Sequence, residues 1–183
     1  MRLHQERTSA VKSRAPHVAL LIVSLTAQLS CVEAASLVGR ATVIDGDTLE
    51  IHGNPIRLWG IDAPEHDQLC RGEDSLQYRC GAKAANELHR FIGARTVACL
   101  AVNSDRYGRT VASCSVGGVD LAKWLVVHGH ALDWPRYSKH RYEQEQKEAE
   151  KVEIGIWAGS FVEPWRYRRC VGAGRSPIAC SDD

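Results

Sequence analysis

No part of this 183-residue chain is an internal repeat, a low-complexity tract or a block of like charge. Its 23 Lys and Arg stand against 22 Asp and Glu, for a formal net charge of +1. A globally basic surface is therefore excluded, and any polyanionic partner must be met by a local patch. No two cysteines are spaced as a short metal knuckle, which argues against a structural zinc site. The apolar stretch from Val18 to Leu29 is too short to cross a bilayer comfortably, which takes roughly 20 residues.

That stretch instead forms the middle of a secretory leader. Arg2, Arg7, Lys12 and Arg14 precede it, and the small residues Ala34, Ala35 and Ser36 follow, with Val32 three positions before a cut after Ala34. This order predicts a signal peptide over 1–34. The alternatives are a retained signal anchor or a lipid-modified Cys31, although Gln28 stands where a lipid signal wants an aliphatic residue. The protein is expected to be exported, to the periplasm or into the medium, with no stable membrane association once the leader is gone.

Cleavage leaves 149 residues, one ordinary domain with 19 Lys and Arg against 20 Asp and Glu, a net of −1. A chain of that size buries about 70% of its unfolded surface, enough for a real core. Of the 7 cysteines, Cys31 goes with the leader and six remain. An even number in an exported chain reads as disulfides. Sequence leaves the fifteen possible pairings open. It favours the local ones: Cys70 with Cys80, Cys99 with Cys114, and Cys170 with Cys180. Nothing signals an oligomeric state.

The pattern opens as a β-meander. Leu37 to Ile44 runs into the turn Asp45-Gly46-Asp47, Thr48 to Ile51 is β-branched, and His52-Gly53-Asn54-Pro55 turns into Ile56 to Trp59. Residues 66–79 read as a polar loop between Cys70 and Cys80. Helical spacing covers Ala82 to Ile92. Two strands, Thr96 to Val102 and Thr110 to Val116, flank Arg106-Tyr107-Gly108 and put Cys99 and Cys114 on core-facing sides. Asp120 caps a helix that stops at Gly129, and Ser138 is expected to cap a Glu- and Lys-rich one. The whole predicts a mainly β, α+β chain: a five-stranded closed barrel flanked by about three helices.

Three acids carry the chemistry. Asp47, Asp62 and Glu65 offer hard oxygen donors, suited to calcium or magnesium. An isolated Asp-Gly-Asp often just makes a turn; Asp62-Ala63-Pro64-Glu65 raises its meaning, because Pro64 stiffens the presentation of both acids. Ala63 can add only its backbone carbonyl. Arg57, inside apolar Ile56-Arg57-Leu58-Trp59, and Arg109, after Gly108, each read alone as solvated charges. Beside three acids they read as phosphate-binding forks that stabilise charge growing on phosphorus. His128 and His130 do not share a helical face, so a zinc pair is disfavoured. The run Pro164-Trp165-Arg166-Tyr167-Arg168-Arg169 could track a nucleic-acid backbone, but packing of Trp165 on the barrel is the plainer reading.

In order and spacing, Val43-Ile44-Asp45-Gly46-Asp47-Thr48, Ile56-Arg57-Leu58 through Asp62-Ala63-Pro64-Glu65, Asp105-Arg106-Tyr107-Gly108-Arg109 and Gly155-Ile156-Trp157 resemble the staphylococcal-nuclease-like (thermonuclease) family. The likeness runs from about Val38 to Trp157. It implies an OB-fold domain over 35–160, followed by a basic, aromatic tail over 161–183. It also implies a calcium-dependent nuclease, magnesium being the alternative metal, that cuts DNA and RNA with little sequence preference, expected as an endonuclease. Asp47, Asp62 and the Ala63 carbonyl then fall on metal ligands, Glu65 on a base-like glutamate, and Arg57 and Arg109 on phosphate arginines. Arg106 and Tyr107 would contact a flanking phosphate or sugar, and Trp134 or Tyr137 would stack on a base. Where the family's best-known member has threonine, this chain has Ala63, and only the backbone is needed there. The competing readings are a non-catalytic OB-type module that holds single strands and a disulfide-bonded domain whose acids bind calcium for stability alone.

Overall fold

The computed structural model describes residues 36–181; the expected leader over 1–34, and Cys31 with it, lies outside the described residues. Strands β1 (Ser36–Asp45), β2 (Thr48–Ile51) and β3 (Asn54–Leu58) form an antiparallel meander. A two-residue β4 (Ile61–Asp62) leaves it, and β5 (Leu69–Arg71) and β6 (Gln77–Arg79) pair as a small hairpin ahead of helix α1 (Cys80–Ile92). β7 (Thr96–Ser104) and β8 (Thr110–Val116) make a second hairpin, extended by β9 (Val119–Asp120). Helix α2 (Leu121–Val127), β10 (Leu132–Asp133), α3 (Pro135–Ser138) and α4 (Glu143–Lys151) follow. A 3-10 turn at Gly155–Ala158 leads to α5 (Pro164–Gly172) and α6 (Pro177–Ser181).

β7 lies antiparallel to β1, and β3 runs parallel to β8, so β1, β2, β3, β8 and β7 close on themselves. Closure leaves no long strand edge open. This is the five-stranded α+β barrel that the strand pattern predicts and the OB-like architecture that the family resemblance implies. Leu49, Ile51, Ile56, Leu58, Val97 and Val116 fill it, and Leu88, Ile92, Leu121 and Leu125 of α1 and α2 seal it from outside. Cys99 and Cys114 stand directly opposite across β7 and β8 and are bonded there. Cys70–Cys80 and Cys170–Cys180 complete the three local disulfides.

Three local expectations change. Residues 66–79 are not simply a loop, since β5 and β6 pair within them, with Cys70 opposite Tyr78. Ser138 ends α3 instead of opening the next helix: its hydroxyl accepts the His140 N–H (3.0 Å), and α4 starts only after Tyr142. Lys139 and His140 both take positive φ there, a kink that no propensity signals. The tail also folds, into α5 and α6. Trp165 packs with Trp157 and Phe161 over Cys70, Cys80, Leu132 and Ile156. The Ser181 hydroxyl accepts the Leu69 N–H (3.0 Å). Buried Gln68 donates to the Val162 carbonyl (2.5 Å) and accepts the Glu65 N–H (3.2 Å), coupling the second acidic loop to the approach of the tail. Among the described residues no helix is long and apolar enough to cross a membrane.

Candidate active site

The site is assembled on the outer face of β2 and β3. Asp45 Oδ1 accepts the Asp47 N–H (3.0 Å), and a register shift between Val43 and Asp45 bends the chain into the turn. A Cβ on Gly46 would lie 2.7 Å from the Ala63 Cβ and 3.0 Å from that of Ala84, so only glycine lets the two acidic motifs approach this closely. Gly81 does the same at the start of α1, where a Cβ would collide with the Glu65 carbonyl oxygen. The Ala63 N–H then donates to Asp47 Oδ2 (2.8 Å), joining the motifs directly. Asp62 is fixed by the pairing of β4 with β10 and is fully buried.

Arg57 alternates with buried Ile56 and Leu58, so it points away from the barrel interior. Yet it is not solvated. Its Nη1 lies 2.6 Å from Asp47 Oδ1 and its Nη2 2.6 Å from Asp62 Oδ1, with the Arg57 side chain only 15% exposed. Burial works against its charge, but Asp47 and Asp62 outweigh that and hold its pKa above the ordinary guanidinium value. Burial pushes the Asp47 carboxyl up, and Arg57 offsets this only in part.

Arg109 joins through one intermediary. Asp105 Oδ1 accepts the backbone N–H of Tyr107 (2.9 Å) and of Arg109 (3.0 Å), while its Oδ2 accepts from Arg109 Nε (2.7 Å). So aimed, Arg109 Nη1 reaches Thr48 Oγ1 (3.5 Å), and that hydroxyl donates to Asp47 Oδ1 (3.3 Å). Arg106 and Tyr107 stay at the exposed hairpin tip, bonded to each other at 2.6 Å and to none of the three acids. Trp134 and Tyr137 meet edge to face at 4.5 Å, and Trp134 lies nearly parallel to Trp165, with centroids 6.2 Å apart.

The residue that sequence reasoning missed is Arg168. Its Nη1 contacts Asp62 Oδ1 (2.9 Å) and Glu65 Oε1 (2.7 Å), its Nη2 contacts Asp62 Oδ2 (2.7 Å), and its guanidinium lies 5.4 Å from the Trp134 ring centre. Burial opposes its charge, but Asp62 and Glu65 hold its proton more tightly than in water. The available signal was spacing: Trp165 and Arg168 are three apart on α5 and so share one face. His128 Nδ1 lies 2.7 Å from the Trp124 carbonyl, and His128 stacks on the Trp124 ring.

The donors fit a hard divalent cation in kind, being carboxylate oxygens. As arranged, however, the acids face guanidinium groups instead of one another. Among the described residues no three His, Cys, Asp or Glu side chains gather to hold a metal ion.

A closed five-stranded barrel with outer helices, bearing acids and arginines on one face, defines the OB-like class. The family model described as staphylococcal nuclease homologue matches residues 55–159, and the chain belongs to that family. The succinoglycan biosynthesis protein ExoI of Rhizobium meliloti is 39% identical over 157 residues, covering 79% of this chain and 82% of that protein. A probable staphylococcal-like nuclease, CAN3 of Oryza sativa, is 31% identical over 116 residues, 62% of this chain and 28% of its own length. A probable endonuclease, LCL3 of Schizophyllum commune, is 27% identical over 133 residues, 62% and 44% of the two chains. The chain thus spans less than half of either of these last two relatives.

Proposed function

We propose that this protein is an exported, metal-dependent nuclease that hydrolyses phosphodiester bonds of DNA, RNA or both with little sequence preference. The observation that carries this reading is the meeting of Asp47, Asp62 and Arg57 at 2.6 Å, with Glu65 held beside Asp62 and Arg109 linked to Asp47 through Thr48. Relatives named as nucleases, and three disulfides suited to an oxidising compartment, support it. ExoI is named for a polysaccharide process, which specifies no reaction.

Asp47, Asp62 and the Ala63 carbonyl would hold the cation, calcium by preference and magnesium as the alternative. Such an ion, when bound, neutralises a non-bridging phosphate oxygen. Arg57 and Arg109 grip the phosphate and stabilise the charge that builds as water attacks. Glu65 orients that water and takes its proton while the phosphorus–oxygen ester bond breaks, and the departing oxygen takes a proton from solvent to leave as a hydroxyl. Tyr137, 47% exposed, would offer its ring to a neighbouring base with Trp134 packed against it, and Arg106 and Tyr107 stand ready for a flanking phosphate.

The test is incubation of purified protein with single-stranded DNA and with RNA, in calcium, in magnesium and in chelator. Fragments that depend on the divalent ion support the enzyme. Retention of intact strands without fragments replaces it with a binding module, and metal-dependent melting with neither replaces it with a structural domain.

A further inference from the structure

We infer that Arg168 is a cation built into the chain that competes with the divalent metal for Asp62, so that the docked tail governs metal affinity. The inference rests on the proposed role of Asp62 as a metal ligand. Both oxygens of Asp62 are taken: Oδ1 by Arg57 Nη2 (2.6 Å) and Arg168 Nη1 (2.9 Å), Oδ2 by Arg168 Nη2 (2.7 Å). Asp62 is fully buried, so an ion cannot reach those lone pairs around the guanidinium groups.

Of the two arginines, Arg168 is the one placed to yield. Arg57 belongs to a barrel strand and its side chain is 15% exposed. Arg168 is 35% exposed at the end of a flexible side chain, on a helix added outside the barrel. The backbone beneath it is held. Cys170–Cys180 staples α5 to α6, and buried Val162, Tyr167 and Cys180 pack together. Ser181 accepts from Leu69, and Gln68 anchors Val162. The side chain can therefore swing off Asp62 without undocking the helix. Since Nη1 also holds Glu65 Oε1, the same movement frees the glutamate that the proposed chemistry needs. Arg168 is thus a positioning residue, acting through Asp62 and Glu65.

The experiment is calorimetric titration of calcium, without nucleic acid, into the wild-type chain and into Arg168→Ala, Arg168→Gln and Arg168→Lys, with near-ultraviolet dichroism as a fold check. Removing a like charge from a partly solvent-screened site should tighten binding at least about tenfold in the Ala and Gln variants, while Lys stays near wild type. The Gln variant keeps length and hydrogen bonding, so it answers for the Ala variant if that one misfolds. Unchanged or weaker calcium affinity in the folded neutral variants overturns the inference, as does a lack of calcium binding in every form. Because no substrate is present, cleavage with unaltered affinities would sink this inference and leave the nuclease standing; tightened affinity without cleavage would do the reverse.

Discussion

Replacing Arg57 by alanine should destabilise the fold as well as abolish catalysis, and the size of the effect follows from the contacts. Arg57 makes 2.6 Å ion pairs to Asp47 and to Asp62, whose side chains are 3% and 0% exposed. Breaking a buried pair by deleting one partner costs about 3–5 kcal/mol, because the other charge is left without compensation. Here Asp62 retains Arg168, and Asp47 retains the Ala63 N–H and the Thr48 hydroxyl, so the loss should fall near about 3 kcal/mol. Against a total of about 5–15 kcal/mol for a domain, that is a large fraction. Urea unfolding at neutral pH reads it as a lower midpoint with an unchanged slope. Arg57→Lys should recover only part, since an ammonium cannot bridge both carboxylates as a planar fork does. An Arg57→Ala protein that unfolds within about 0.5 kcal/mol of wild type would refute the claim that Arg57 holds the two acids together.

Other consequences are as direct. His130 is largely buried against Trp124, and burial, with His128, Lys83 and Arg90 nearby and only Glu87 opposing, lowers its pKa to about 4. The unfolded chain then binds the extra proton between pH 6.5 and 4, so stability is full above that window and falls on acidification through it, by up to about 3 kcal/mol. Urea midpoints at pH 7 and pH 4.5 should differ less in His130→Gln than in wild type; equal differences would exclude His130 as the cause. Serine at both Cys170 and Cys180 opens a loop of sequence separation 10, a loss of about 3 kcal/mol confined to the tail. Limited trypsin digestion should then cut at Arg166, Arg168 or Arg169 well before the barrel, and tail resistance equal to wild type would contradict the docking described. Alanine at Gly81 must push α1 and the Glu65 loop apart, at about 1–3 kcal/mol, with a larger proportional loss of cleavage than of stability. Full activity in a Gly81→Ala protein would show that the closeness of α1 does not position Glu65.

The barrel was legible because its signals are local and repeat. Period-two alternation in Ile56-Arg57-Leu58 and in Val97 to Val116 marks inward faces, and Asp120 caps its helix through the Ala122 and Lys123 N–H groups. The acids and Arg57 were legible because they border turns whose glycines and proline leave few conformations. What stayed hidden depends on packing between distant segments. Arg168 reaches Glu65 across 103 positions, and no short window contains both. The paired strands of 66–79 form because the hairpin supports the tail, a tertiary reward that polar composition conceals. Ser138 misled because the left-handed residues Lys139 and His140 interrupt what propensity alone would run as one helix.

The central claim is that Glu65 and Arg109, brought beside Asp47 and Asp62, cleave phosphodiesters. Initial rates of single-stranded DNA cleavage in calcium should fall by about 100-fold or more in both Glu65→Gln and Arg109→Ala, a barrier increase of about 3–4 kcal/mol for the arginine, with folding intact. Wild-type rates in both variants would contradict it.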